Sequence, residues 1–184
     1  YNHDVEILSL LDSLWEKGRL PKHLKLVVRF PPNDDVPLPP LFKTPFIIQK
    51  PGYRFSLERG TDWDMSEDQF EELADTLCHA AMVVGYSSTI TIDAAVFDTP
   101  IININIEFPN NKSSEWIYKV DHYQPVLRSG AVTMVHTEDE LVNAIITYLE
   151  KPELHREERA RLREMQCGSN DGLAGKRVAD IITT

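Results

Sequence analysis

Three consecutive hydroxyl residues, Ser87-Ser88-Thr89, stand between a short apolar run, Met82-Val83-Val84-Gly85, and a stretch with Ile92, Ala95 and Val96 on one helical face. Hydroxyls at the entry to a helix lie beside unpaired backbone N–H groups and the positive end of the helix dipole, a setting that suits phosphate. The same residue types are ordinary helix caps, so spacing alone leaves both uses open. Asp98-Thr99-Pro100 breaks the helix, and Ile101 to Ile106 follows, alternating Ile with Asn. Asn105 and Glu107 fall at the C-terminal end of that run, where open α/β sheets hold ligands. The alternation predicts that at least one of Asn103 and Asn105 faces a polar cleft or bonds a neighbouring loop; Asn103 also reads as a satisfied core amide. Arg29 ends a buried run and offers a planar fork for phosphate, or an ion-pair partner for Asp34 or Asp35.

These residues need a scaffold that gathers them. Met82 to Ile106 reads as strand, hydroxyl-rich turn, helix and strand, the crossover of a parallel sheet. Upstream, Val5, Ile7, Leu8, Leu10, Leu11, Leu14 and Trp15 form a helical apolar face closed by Lys17-Gly18. Strands are expected near 25–30, 46–49, 82–85, 101–106 and 132–135. Residues 52–65 read as an exposed loop, with Trp63 either stacking on a base or anchoring the loop. Ser66-x-x-Gln69 opens a helix with Phe70, Leu73, Ala74 and Leu77 inward. Residues 113–128 are expected to be partly helical. Thr137-Glu138-Asp139-Glu140 opens the next helix, a charged helix spans Glu153 to Gln166, and Ala174 to Ile182 forms the last one. Alternating apolar strands and amphipathic helices indicate α/β architecture with a doubly wound, Rossmann-like parallel sheet over residues 1–184.

Composition narrows the function classes. The 42% hydrophobic and 26% charged fractions of this 184-residue chain are those of an ordinary globule. A net charge of −10 argues against a nucleic-acid partner, which needs a basic face. It leaves room for a phosphorylated small molecule held locally by a turn and one Arg. Cys78 and Cys167 lack ligand spacing and read as reduced thiols of a cytoplasmic protein, Cys78 in the core. His3, His23, His79, His136 and His155 show no metal-ligand spacing, so neither a metal nor a cofactor is expected. No apolar run reaches transmembrane length.

The pattern resembles the C-terminal, nucleotide-binding half of GT-B-type glycosyltransferases, especially bacterial polysaccharide enzymes and their relatives, the CDP-glycerol glycerophosphotransferases. The resemblance rests on Leu26-Val27-Val28-Arg29 with its proline pair, Ala74-Asp75, Met82-Val83-Val84, Gly85-Tyr86-Ser87-Ser88-Thr89, Asp93-Ala94-Ala95, Pro100-Ile101-Ile102 and the tail Asp171 to Val178. It implies that Ser87, Ser88 and Thr89 hold the donor pyrophosphate. It implies that Asp93 accepts from the ribose hydroxyls, and that His122, in a loop over the donor sugar, donates to the leaving phosphate. Asp93 as a plain helix-surface acid and His122 as a plain exposed histidine remain the alternatives. Two departures count. The family often has Arg-x-His-Pro where this chain has Arg29-Phe30-Pro31-Pro32, which removes a candidate acid–base or phosphate-binding histidine. The glycerophosphotransferases tend to have Asp-Tyr-Ser-Ser where this chain has Gly85-Tyr86-Ser87-Ser88, which favours sugar transfer over glycerol-phosphate transfer.

The expectation is therefore a donor-binding domain that takes a nucleotide sugar and serves polysaccharide or surface-glycan synthesis. The acceptor site would lie on an N-terminal domain that this chain lacks. The alternatives are a non-catalytic Rossmann-like binding module and half of a sugar-nucleotide epimerase. In a sheet of order 3-2-1-4-5-6 the strand before the 4–17 helix is central. A start at Tyr1 leaves that first strand out, so strands 25–30 and 82–85 should close up on each other or leave a slot. Exposed edges of that kind invite self-association.

Overall fold

The computed structural model describes residues 3–31, 42–59, 61–108 and 114–183. The expected partners Asp34 and Asp35 and residues 109–112 after Glu107 lie outside them.

Helix α1, Asp4–Glu16, buries Ile7, Leu8, Leu10, Leu11 and Leu14. It stops at Gly18, whose φ of +69° is a left-handed turn that a side chain would strain. Strands β1, Val27–Arg29, and β2, Ile47–Gln49, pair in parallel. A short antiparallel ladder follows, β3 (Tyr53–Arg54) with β4 (Trp63–Asp64). The segment expected to be an exposed loop thus carries a hairpin. Its corner is held by Asp62, which is buried and accepts from Arg59 Nε at 2.9 Å. Helix α2, Glu67–His79, starts at the expected capping box, with Ser66 N–H donating to Gln69 Oε1 at 3.0 Å.

Strands β5 (Val83–Gly85), β6 (Ile101–Ile104) and β7 (Val132–Val135) form a parallel sheet in that order. The 82–85 and 101–106 runs are therefore parallel, as their crossover helix α3, Ile90–Val96, requires. Two 3₁₀ turns, Ser114–Tyr118 and Asp121–Tyr123, and helix α4, Gln124–Ser129, lead from β6 to β7. Helices α5 (Glu138–Glu150), α6 (Arg156–Cys167) and α7 (Ala174–Ile182) complete the chain.

All four residues of β6 are buried, and their alternation serves two cores. Ile102 and Ile104 pack with Leu10, Leu11 and Leu14 of α1 and Leu141, Ile145 and Tyr148 of α5. Ile101 packs with Leu77, Ala94, Ala95, Val126 and Leu162, from α2, α3, α4 and α6. Helices thus cover both faces, and each buried Ile contributes about 1.5–3 kcal/mol. Among the described residues β1 pairs only with β2 and β5 only with β6, so the parallel strands form two sheets instead of closing on each other.

Three inward assignments differ from expectation. Phe70 is exposed and only Leu77 of α2 is fully buried. Cys78 is exposed, not core. The buried face of α3 is Thr91, Ala94 and Ala95, one position round from Ile92, Ala95 and Val96. A seven-residue helix is too short for its period to specify which face meets the sheet.

Candidate functional site

The C-terminal ends of the central sheet gather most of the candidate residues. Gly85 pairs with Asn103, and Ile104 with Val135, so β5 opens into Tyr86-Ser87-Ser88-Thr89, β6 into Asn105 and Glu107, and β7 into His136. In the turn, Ser88 and Thr89 are exposed and Ser87 is half-buried. Thr89 is the N-cap of α3 by position but its side chain caps nothing. The nearest capping contact is a long 3.4 Å from the Ile90 amide to Ser88 Oγ. Ordinary capping therefore accounts poorly for three hydroxyls in a row.

Asp93 lies one turn on, at the surface but crowded by protein on one side, and that partial desolvation raises its carboxyl pKa. Asn105 is half-buried, with its backbone amide on Val135 O at 2.8 Å and Nδ2 3.4 Å from His136 Nδ1. The His136 amide in turn donates to Glu140 Oε2 at 2.7 Å. Glu107 is exposed. His122 is exposed in the second 3₁₀ turn, next to the buried Tyr123.

Arg29 is placed differently. Its guanidinium donates to Gln49 Oε1 at 3.0 Å and Gln69 O at 3.1 Å, and meets Glu72 Oε2 at 3.4 Å. None of these contacts is with the 87–89 turn; they tie β1 and β2 to α2, and Glu72 supplies the counter-charge.

Sequence reasoning missed a layer of aromatic hydroxyls beneath the turn. Tyr118 donates to Ile104 O at 2.7 Å, and Tyr123 OH meets Asn103 Nδ2 at 2.5 Å and Thr91 Oγ1 at 2.9 Å. Burial raises both phenol pKa values, and the hydrogen bonds with Thr91 and Asn103 offset only part of the rise at Tyr123. Asn103 is thus a satisfied core amide that reaches a neighbouring loop. The readable signal was an amide in a strand otherwise made of Ile, which needs a partner. Tyr86 also went unweighed: its hydroxyl donates to Asp4 Oδ1 at 3.1 Å, joining the turn to the start of α1.

A concavity of about 730 Å³ opens elsewhere, along α6, between Glu157, Arg161, Glu164 and Asn170. Its lining mixes both charge signs and includes none of the candidate residues. Among the described residues no group of three His, Cys, Asp or Glu could hold a metal ion, and no helix is long and apolar enough to cross a membrane.

A model of the family described as CDP-Glycerol:Poly(glycerophosphate) glycerophosphotransferase matches residues 45–184. That span holds the turn, the end of β6, both 3₁₀ turns and His136, but neither α1 nor Arg29. No curated protein and no solved structure matches the chain.

Proposed function

The chain belongs to the CDP-Glycerol:Poly(glycerophosphate) glycerophosphotransferase family, and from that premise we propose that it binds the nucleotide end of an activated donor at the C-terminal edge of β5–β7. In this reading it is the donor half of a GT-B-type glycosyltransferase that moves a sugar to an acceptor hydroxyl during cytoplasmic synthesis of a polysaccharide or surface glycan. The acceptor comes from a separate domain. The acceptor oxygen bonds to the anomeric carbon while the bond from that carbon to the phosphate oxygen breaks. The electron pair leaves with the nucleoside diphosphate, and the hydroxyl proton passes to a base outside the residues named here.

Negative charge grows on the departing phosphate, so donors aimed at it lower the barrier. Ser88 and Thr89 hydroxyls supply two, His122 a third, and Asp93 accepts from the ribose. Asn105 and Glu107 face the transferred group. The single observation that supports this reading is the exposed Ser88-Thr89 pair, uncapped and at the end of a parallel strand within the family-matched span.

Calorimetry with CDP, UDP, GDP and ADP tests it. One of them should bind the purified protein. Ser88→Pro should abolish binding by distorting the turn, and Thr89→Ala should weaken it about fivefold, the loss of roughly 1 kcal/mol from one hydrogen bond. Wild-type affinity in Ser88→Pro would end the proposal.

The family description favours a second reading, transfer of glycerol phosphate. There the acceptor oxygen attacks phosphorus, the P–O–P link breaks and a nucleoside monophosphate leaves. Identifying the released nucleotide separates the two: a diphosphate supports sugar transfer, a monophosphate supports glycerophosphate transfer.

A further inference from the structure

Asn103 has 1% of its surface exposed, in the central strand of the three-stranded sheet. An amide buried there is destabilising unless its hydrogen bonds are made. Its Nδ2 donates to the Tyr123 hydroxyl at 2.5 Å, and that hydroxyl lies 2.9 Å from Thr91 Oγ1 in the first turn of α3. Asn103, Thr91 and Tyr123 are all buried, so a strand, a helix and a loop meet at one oxygen. Gln124, the next residue, fastens the loop by donating from Nε2 to Tyr118 O at 2.6 Å. Thr91, whose hydroxyl meets Tyr123, also donates its backbone N–H to Ser88 O at 3.2 Å, which ties the Tyr123 hydroxyl to the turn through one residue.

We infer that Tyr123 is a positioning residue for the donor site: its hydroxyl, held by Asn103 and Thr91, fixes the 87–89 turn from beneath and presents the Ser88 and Thr89 hydroxyls as a pre-arranged pair for a donor phosphate. The inference rests on the proposed donor site and gives it a mechanism of rigidity. A turn already in its binding geometry loses less conformational entropy when the ligand arrives. The Ser88 carbonyl, bonded by the Thr91 amide, is then an internal strut, and the ligand meets the hydroxyls.

The test separates fixing the turn from merely stabilising the fold. Tyr123→Phe leaves the Asn103 amide buried without its acceptor, so both the Tm and nucleotide affinity should fall, affinity about tenfold. The pair Tyr123→Phe with Asn103→Leu removes two of the three polar partners at nearly constant volume and leaves the Thr91 hydroxyl, which a threonine in a helix can turn onto a carbonyl of the preceding turn. Its Tm should return close to wild type, while the dissociation constant for the bound nucleoside diphosphate stays at least about fivefold raised. Amide exchange at Ser88 and Thr89 should also stay faster than in wild type. Should the single variant not fold, the double variant alone decides. Wild-type affinity and wild-type exchange in the double variant would overturn the inference and leave the donor site standing. Failure of the wild-type protein to bind any nucleotide would overturn the site and the inference together.

Discussion

In the proposed donor site, Asp93 would serve binding at some expense to stability. Desolvation raises its carboxyl pKa above the ordinary 3.8, so the folded protein holds that proton more tightly than the unfolded chain does. The sign follows from linkage: ionised Asp93 opposes folding above its folded pKa, and the opposition fades as the pH falls from there toward 3.8 and is gone below it. Asp93→Asn should therefore raise the Tm slightly at neutral pH, by at most about 2 °C, with the difference vanishing in acid. The same variant should weaken nucleotides with an intact ribose and leave inorganic pyrophosphate unaffected. Scanning calorimetry across pH checks the first half and titration calorimetry the second. A stabilised variant with unchanged nucleotide affinity would make Asp93 a plain surface acid. His122 is a different case, since its exposure was foreseeable but the burial of the adjoining Tyr123 was not.

At the scale of elements, the corner joining α3, α5 and α6 carries the most polar investment. Helix α3 ends with Thr99 N–H on Ala94 O at 2.9 Å and Asp98 N–H on Ala95 O at 3.3 Å, a Schellman closure. Its left-handed position holds Asp98, φ +59°, where glycine is usual. The reason lies across the corner. Arg159, fully buried, donates from Nε to Asp98 Oδ1 at 2.9 Å and from its terminal nitrogens to Leu154 O at 2.6 Å and Pro152 O at 3.2 Å. Arg156 takes the other Asp98 oxygen at 2.8 Å. One planar fork thus closes the α5–α6 loop onto the end of α3. Arg159→Met should destabilise by roughly 1–3 kcal/mol, because it takes the donor from two part-buried carbonyls while Asp98 keeps Arg156. Arg159→Lys should recover only part of that, since an ammonium cannot span three acceptors. Urea unfolding measures both. The charged stretch from Glu153 to Arg163 reads in sequence as a solvated face, and most of it is exposed. Its one buried arginine was illegible, because its partner stands some sixty positions earlier in the chain.

At the scale of the whole molecule, the well-packed part comprises α1 and the run from β5 to α6, and apolar surface remains outside it. Val27 and Ile47, cross-strand partners on the small parallel sheet, are 43% and 46% exposed. Helix α7 buries no residue, and its Ile181 and Ile182 are 78% and 77% exposed. Replacing both with Ser should change stability by less than about 0.5 kcal/mol. It should also lower any concentration-dependent association seen by sedimentation, since grouped exposed apolar residues drive such contacts. An unchanged sedimentation profile would move the association to the strand edges. Apart from the β3–β4 hairpin, the order of strands and helices was determined by the sequence itself, as were the parallel pairing of β5 with β6, the Gly18 stop and the Ser66 and Thr137 caps. Periodicity, chain reversals and capping act over a few residues, so they can be read there. Tertiary structure alone decided that the parallel strands divide into two sheets, that Arg29 binds α2, that Phe70 and Cys78 face solvent, and that Tyr118 and Tyr123 lie under the Ser87–Thr89 turn. Each of these depends on which distant surfaces meet, and burial and hydrogen bonding across twenty or more residues leave no local pattern in the chain.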